Sequence, residues 1–297
     1  MTSPLSPAKS LLFVPGDRSD RIPKALDSTA HAVIVDLEDA VTPQCKDDAR
    51  HQVAAFLQAH PEARVLLRVN ASESPWFEDD LALAALPAIA GIVVPKASPT
   101  SLLQVAQNCQ TPIWPLIETA EGIQRAPEIS RFPGVVRILL GTIDLALDLD
   151  LDVTRPGGHN MLDIARFQVV SASIAAGIAP PVDGVFPDLD DADSLLAATS
   201  HAKACGFGGM MCIHPKQTSI VNGAFTPDDS QVDWAQRVLK AAQGQPGAFK
   251  FEGQMIDSPV LVRAARLLES WNVRPGRSPK RSSLPCPITA QKGENAK

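Results

Sequence analysis

Glu118 and Asp144 are the residues of this chain best suited to holding a metal ion. Each closes a short apolar run, PIWPLIE and VRILLGTID. Two carboxylates side by side repel when both are ionised, and a shared proton or a divalent cation resolves the conflict. Mg2+ is commonly held by one or two carboxylates, with water and substrate oxygens completing its octahedron. Separate loop caps or ion pairs would use the same residues without a metal. Arg68, in VLLRVN, carries a planar fork suited to a substrate carboxylate. A pair with Asp36 or Glu38, from AVIVDLED, is the structural alternative, and both can hold at once, because a supporting carboxylate orients the arginine. Lys96, in VVPK, is either a Schiff-base amine or a charged partner of a neighbouring carboxylate. His214, in CIHP, reads equally as a catalyst or a hydrogen-bonded histidine at a strand end. The histidines show no HxH or HExxH spacing, so no zinc motif is present. Asp257 precedes Ser258-Pro259 and reads as a helix N-cap.

Elements that bring such distant residues together are legible in the apolar pattern. Eight short runs rich in Val, Ile and Leu recur over the first 215 residues: SLLFVP, AVIVDLED, VLLRVN, GIVVPK, PIWPLIE, VRILLGTID, VDGVFPD and GGMMCIHP. Apolar runs without alternation fit strands buried on both faces, as in a parallel sheet. Eight of them separated by helical stretches predict an α/β fold, a (β/α)8 barrel, whose strand ends converge on one face. Residues 44–59 carry the stripe Ala49, Val53, Phe56 and Leu57, and residues 160–177 carry Leu162, Ala165, Val169, Ala172 and Ala176 before Gly177. A long acidic loop is expected after Asp144, with Asp148, Asp150 and Asp152 followed by RPGG. The barrel is expected over 1–225 and a C-terminal helical extension over 226–271, as a subunit interface. Within the extension, helices start near Thr226 and Asp257, and 244–255 reads as a Gly-rich connector. Residues 272–297, rich in Pro, Ser, Lys and Arg, read as a disordered tail.

A chain of 297 residues, 45% hydrophobic, accommodates one barrel and an extension. Its net charge of −6 makes no global case for nucleic acid, so an anionic substrate must be met by local basic groups. The five cysteines form no CxxC and are expected as reduced thiols in the cytoplasm. The opening MTSPLSPAKS lacks the apolar core of a signal peptide. No run approaches the ~18 apolar residues a membrane span needs. Tyrosine is absent, which removes one general acid.

Taken in order, KSLLFVPGDRSDR, VIVDLEDAV, RVNA, VVPKA, LIETAEG, LLGTIDLALDL, GGMMCIHPKQ and GAFKFEGQMIDSPV resemble the citrate lyase beta subunit-like family of acyl-CoA lyases, which includes malyl-CoA and citramalyl-CoA lyases. The resemblance spans about residues 9–271. It implies a (β/α)8 barrel, a homotrimer or hexamer, and Mg2+-dependent cleavage of a carbon–carbon bond next to a thioester of coenzyme A or an acyl carrier. It implies that Glu118 and Asp144 ligate the metal, that Glu118 lies among the substrate contacts, and that Arg68 holds the carboxylate of a 2-oxo acid. Glu38 would support Arg68. Asp257 would act as acid/base in a neighbouring subunit's site, and Lys46 and Arg50 would meet coenzyme A phosphates. Met210 departs from the pattern, standing where the family often has lysine. Two other readings of the residues are an aldolase acting on free acids through a Lys96 Schiff base and a non-catalytic coenzyme A-binding barrel.

Overall fold

A computed structural model describes residue 5, residues 7–245 and residues 247–272; the expected tail lies outside them. Eight parallel strands close into a barrel in sequence order. They are β1 Ser10–Pro15, β2 Ala32–Asp36, β3 Val65–Arg68, β4 Ile89–Val94, β5 Ile113–Ile117, β6 Arg137–Leu140, β7 Ala179–Asp183 and β8 Gly209–Cys212. The ring closes where Ser10 of β1 pairs with Met210 of β8. Every residue of β2, β3, β4, β5, β6 and β8 is buried, as the unalternating apolar runs require.

Burial on both faces hides a period of two. Leu11, Ile34, Leu66, Val93, Trp114, Leu116, Leu139, Val182 and Met211 form one cluster, the filling of the barrel. Their neighbours Leu12, Val33, Val35, Leu67, Ile92, Val94, Ile117 and Leu140 join a second cluster beneath the helices. Gly91 makes room for the filling: a Cβ there would stand 2.5 Å from the Trp114 indole nitrogen. Because alternate residues share a face, Asp36 follows Ile34, Arg68 follows Leu66 and Glu118 follows Leu116 on the inward side. Each lies at the C-terminal mouth. At the opposite end the fully buried Arg137 guanidinium donates to the carbonyls of Pro180 and Ala8, both at 2.6 Å.

The outer layer comprises α1 Ile22–Leu26, α2 Lys46–Ala59, α3 Phe77–Leu81, α4 Pro99–Asn108, α5 Ala120–Gln124, α6 Ala126–Arg131, α7 Thr142–Asp148, α8 Pro156–Ala176, α9 Ala192–Ala204 and α10 Pro215–Phe225. Asp144 lies in the first turn of α7, so the segment expected as a loop begins as a helix. The seventh strand ends at Asp183, not at Asp188 as the run VDGVFPD suggests. The longest helix, α8, stops at Gly177, whose φ of 69° is the left-handed conformation glycine tolerates.

Thr226 begins a second compact unit. A capping box of Asp228 and Gln231 opens α11, Asp229–Ala241. The expected connector contains an antiparallel hairpin, β9 Phe249–Phe251 and β10 Gln254–Ile256. Its two-residue turn, Glu252-Gly253, has φ of 48° and 82°, the twist two-residue hairpins favour. Helix α12, Ser258–Asn272, follows, and Ala235, Val238, Ile256 and Ala264 form the unit's core.

Candidate active site

The mouth is organised by a buried arginine. Asp36 and Arg68 are register partners across β2 and β3. Arg68 donates from Nε and Nη2 to the two Asp36 carboxylate oxygens, both at 2.7 Å. Asp36 is fixed in turn by the backbone N–H groups of Glu38, at 2.8 Å, and Ala40, at 3.2 Å. Burial works against the Arg68 charge, but Asp36, Glu38 and Asp39 outweigh it and raise the guanidinium's pKa. The Phe13 ring lies 4.9 Å beneath it. Asp36 takes one edge of the fork, so N–H groups on Nη1 and Nη2 remain for another carboxylate. Nη1 lies 3.1 Å from Glu38 Oε2 and 3.5 Å from Asp39 Oδ2.

Lys96 joins two further carboxylates. It follows β4 in a left-handed conformation with φ of 45°, uncommon for a residue with a Cβ. That bend directs its backbone N–H to Glu118 Oε1 at 2.8 Å, while its ammonium reaches Glu38 Oε1 at 2.7 Å. Burial would lower the Lys96 pKa, but the bond to Glu38 and the charges of Glu38, Glu118 and Asp39 raise it. A Schiff-base nucleophile must be a neutral amine, and this environment holds an ammonium. Burial also raises the Glu38 carboxyl, against the pull of Arg68 and Lys96.

Glu118 carries a strongly perturbed carboxyl at the mouth. Its Oε2 is buried without a hydrogen-bond partner. Burial, then the Glu38 charge, then Asp144 push its pKa up to about 8, with the Lys96 N–H opposing. Gly141 stands against it: a Cβ there would come within 2.6 Å of both Glu118 Cβ and Oε2. A buried carboxylate oxygen with no donor, electrostatically coupled to a second carboxylate, fits a hard cation better than a set of hydrogen bonds. Glu118 and Asp144 are the side chains that could hold it.

Lys46 and Arg50 occupy a layer beside this centre. The three ammonium hydrogens of Lys46 go to the carbonyls of Leu37, at 2.8 Å, and Glu38, at 2.7 Å, and to Asn70 Oδ1, at 2.6 Å. Arg50 donates to Asp80 at 3.0 Å and to Asp47 at 2.5 Å. Asp80 also accepts from the backbone and side-chain nitrogens of Asn70, at 2.9 Å and 2.5 Å. The expectation that Lys46 and Arg50 meet coenzyme A phosphates finds no support in this geometry, because Lys46 is spent on tying the DLED segment to Asn70 after β3, and Arg50 on Asp47 and Asp80. Asn70 and Asp80 complete that tie, and their sequence context carries no motif for it.

His214 is exposed, and its Nδ1 accepts from the Lys216 N–H at 3.2 Å. The buried side chain after β8 is Gln217, which bonds the N–H groups of Ile213 and His214 and the Phe186 carbonyl. Asp257 belongs to the second unit, where its Oδ1 accepts from the Val260 N–H at 3.3 Å at the start of α12.

Residues 9–215 match the family model described as HpcH/HpaI aldolase/citrate lyase. The chain belongs to that family. A citrate lyase subunit beta-like protein of Deinococcus radiodurans is 39% identical over 284 residues, 90% of this chain and 99% of the relative. A (3S)-malyl-CoA thioesterase of Cereibacter sphaeroides is 32% identical over 271 residues, 88% of this chain and 94% of that one. Among solved structures, CitE of Mycobacterium tuberculosis in complex with magnesium, acetoacetate and coenzyme A superposes with a TM-score of 0.80 at 34% identity, over 90% of this chain and 99% of CitE. The family barrel is thus matched along with the region beyond it.

Proposed function

We propose that this chain is a Mg2+-dependent carbon–carbon lyase that splits a 3-hydroxyacyl thioester, of malyl, citramalyl or citryl type, into a 2-oxo acid and an acetyl thioester. The observation that carries this reading is the buried, donorless Glu118 Oε2, coupled to Asp144 and to the Arg68 guanidinium that Asp36 orients. Magnesium in the CitE complex supports it.

Glu118 and Asp144 would hold the ion, which supplies Lewis-acid polarisation of the substrate oxygens when bound. Arg68 binds the carboxylate that becomes part of the 2-oxo acid and fixes its orientation. Asp36 keeps that fork aligned, and Lys96 links Glu38 and Glu118 by bonding one through its ammonium and the other through its backbone. Cleavage passes the hydroxyl proton to solvent water, turns that C–O bond into the 2-oxo carbonyl, and sends the broken bond's electron pair to the thioester α carbon, where one proton must be returned. We assign that delivery to Asp257, acting on a neighbouring copy's site in a homotrimer or hexamer. The resemblance of GQMIDSP to the family supports this role, and the N-cap geometry leaves one Asp257 oxygen outside the helix bond.

Similarity to a malyl-CoA thioesterase favours a second reading, hydrolysis of the thioester itself. A panel of malyl-, citramalyl- and citryl-CoA assayed with Mg2+ separates the two. The lyase releases a 2-oxo acid and acetyl-CoA in equal amounts. Free coenzyme A and the intact hydroxy acid, with no 2-oxo acid, would establish the hydrolase.

A further inference from the structure

Three side chains that the proposed chemistry does not use converge on the outer helical layer of the barrel. Asp163 lies on α8, His201 on the last turn of α9, and Cys205 at the C-terminal cap of α9. His201 Nε2 is 2.8 Å from Asp163 Oδ1 and 3.6 Å from Cys205 Sγ, and the three ligand atoms all lie within 4.8 Å of one another. We propose that Asp163, His201 and Cys205 form a second metal site, selective for a thiolate-accepting divalent ion of the Zn2+ class.

The identity of the shared atom decides between two chemistries. A Cys–His–acid relay uses both ring nitrogens, one facing the thiol and the other the carboxylate. Here a single nitrogen faces both partners, so no proton can pass through the ring from sulfur to carboxylate. One nitrogen, one sulfur and one oxygen within 4.8 Å of one another are instead a candidate ligand set. Three protein ligands with a fourth position for water is the arrangement of open zinc sites. His201 and Cys205 are four residues apart, which stacks them on one helix face.

The surroundings hold the set in place. Asp163 Oδ1 also accepts from Arg166 Nη1 at 2.8 Å, and Arg166 Nε donates to Asp183 at 2.9 Å. Asp183 is buried at the end of β7, so the carboxylate is anchored to the barrel through Arg166. Such supporting bonds orient metal ligands. Asp163, Asp183 and Arg166 sum to one negative charge, and a Cys205 thiolate adds a second, matching a divalent ion. Mg2+ prefers oxygen ligands and leaves thiolates alone, so this site does not compete for the ion assigned to Glu118 and Asp144. The sequence shows no zinc motif because Asp163 stands 38 residues from His201, and only the packing of α8 and α9 supplies the third ligand.

Co2+ is the probe, added to full-length protein stripped by a chelator. The expected result is one equivalent bound with a thiolate-to-cobalt charge-transfer band that Zn2+ abolishes. Cys205→Ser should lose the band, and His201→Ala, at an exposed position, should weaken binding at least ~10-fold. Circular dichroism establishes that both variants are folded. No thiolate band in folded wild-type protein at saturating Co2+, or an unchanged band in Cys205→Ser, would overturn the site and leave an ordinary Asp163–His201 ion pair.

Discussion

In the proposed function Arg68 serves two carboxylates, Asp36 and the substrate's, with one planar guanidinium. Nε and one Nη2 hydrogen serve Asp36; in the proposed reaction the substrate carboxylate takes the remaining N–H groups, where Nη1 now faces Glu38 and Asp39. Arg68→Lys keeps the charge and loses the fork. Its three ammonium donors cannot reproduce two parallel bidentate contacts, so the KM for thioester and the Kd for 2-oxo acid should rise by about 10- to 100-fold, a cost of a few kcal/mol for a charge-assisted pair. An unchanged 2-oxo acid affinity by calorimetry would remove Arg68 from the substrate contacts. Glu118 makes a prediction about pH. Its carboxyl titrates at about 8 without metal, against an ordinary value of 4.5. Between those values the folded chain holds a proton that the unfolded chain has released. Stability is therefore lost as pH rises from about 4.5 to about 8. Metal-free wild-type protein should melt at progressively lower temperature across that window relative to Glu118→Gln, which cannot ionise, and Mg2+ should narrow the difference. Parallel melting profiles for the two proteins would mean that Glu118 is not held protonated.

At the level of elements, the mouth depends on what each strand end leaves out. Gly141 follows β6 directly and gives Glu118 the space a Cβ would fill. Gly141→Ala should displace the Glu118 carboxylate by an ångström or so and cost roughly 100-fold in turnover. Far-ultraviolet circular dichroism should stay unchanged, since the barrel core is untouched. Near-normal turnover would show that the Glu118 position is not critical. The strands themselves were legible because helices cover them outside and side chains fill the barrel inside, leaving unbroken apolar runs. The positions of Arg68 and Glu118 at strand ends followed from those runs. Other features were not legible. Asp144 entered a helix because the run VRILLGTID conceals Gly141, where the strand gives way to α7. The bent backbone of Lys96 has no propensity signal, since lysine seldom adopts positive φ. The hairpin at 249–256 was hidden by Glu252, which stands in its turn where asparagine or aspartate is the usual marker. The ties made by Lys46, Asn70 and Asp80 depend on partners up to 33 residues apart, beyond any local pattern.

For the molecule as a whole, the proposed chemistry is divided between the barrel, which holds Arg68, Glu118 and Asp144, and the second unit, which holds Asp257. Asp257→Asn keeps a good N-cap, so stability should hold. Turnover should fall by at least ~100-fold if Asp257 is the general acid. Mixing Asp257→Asn with Glu118→Ala subunits should restore part of the activity, because some interfaces then pair an intact metal site with an intact Asp257. No recovery after verified subunit exchange would confine Asp257 to its own chain or to capping. None of the helices among the described residues is long and apolar enough to cross a membrane. The central claim is that Glu118 and Asp144 confer metal-dependent carbon–carbon cleavage. Its most direct measurement is 2-oxo acid release from the best CoA thioester as Mg2+ is titrated into chelator-treated wild-type and Glu118→Ala protein. The account predicts saturable activation of the wild type and none of the variant. Equal 2-oxo acid release by the two proteins, or release by the wild type at full rate in excess chelator, would contradict it.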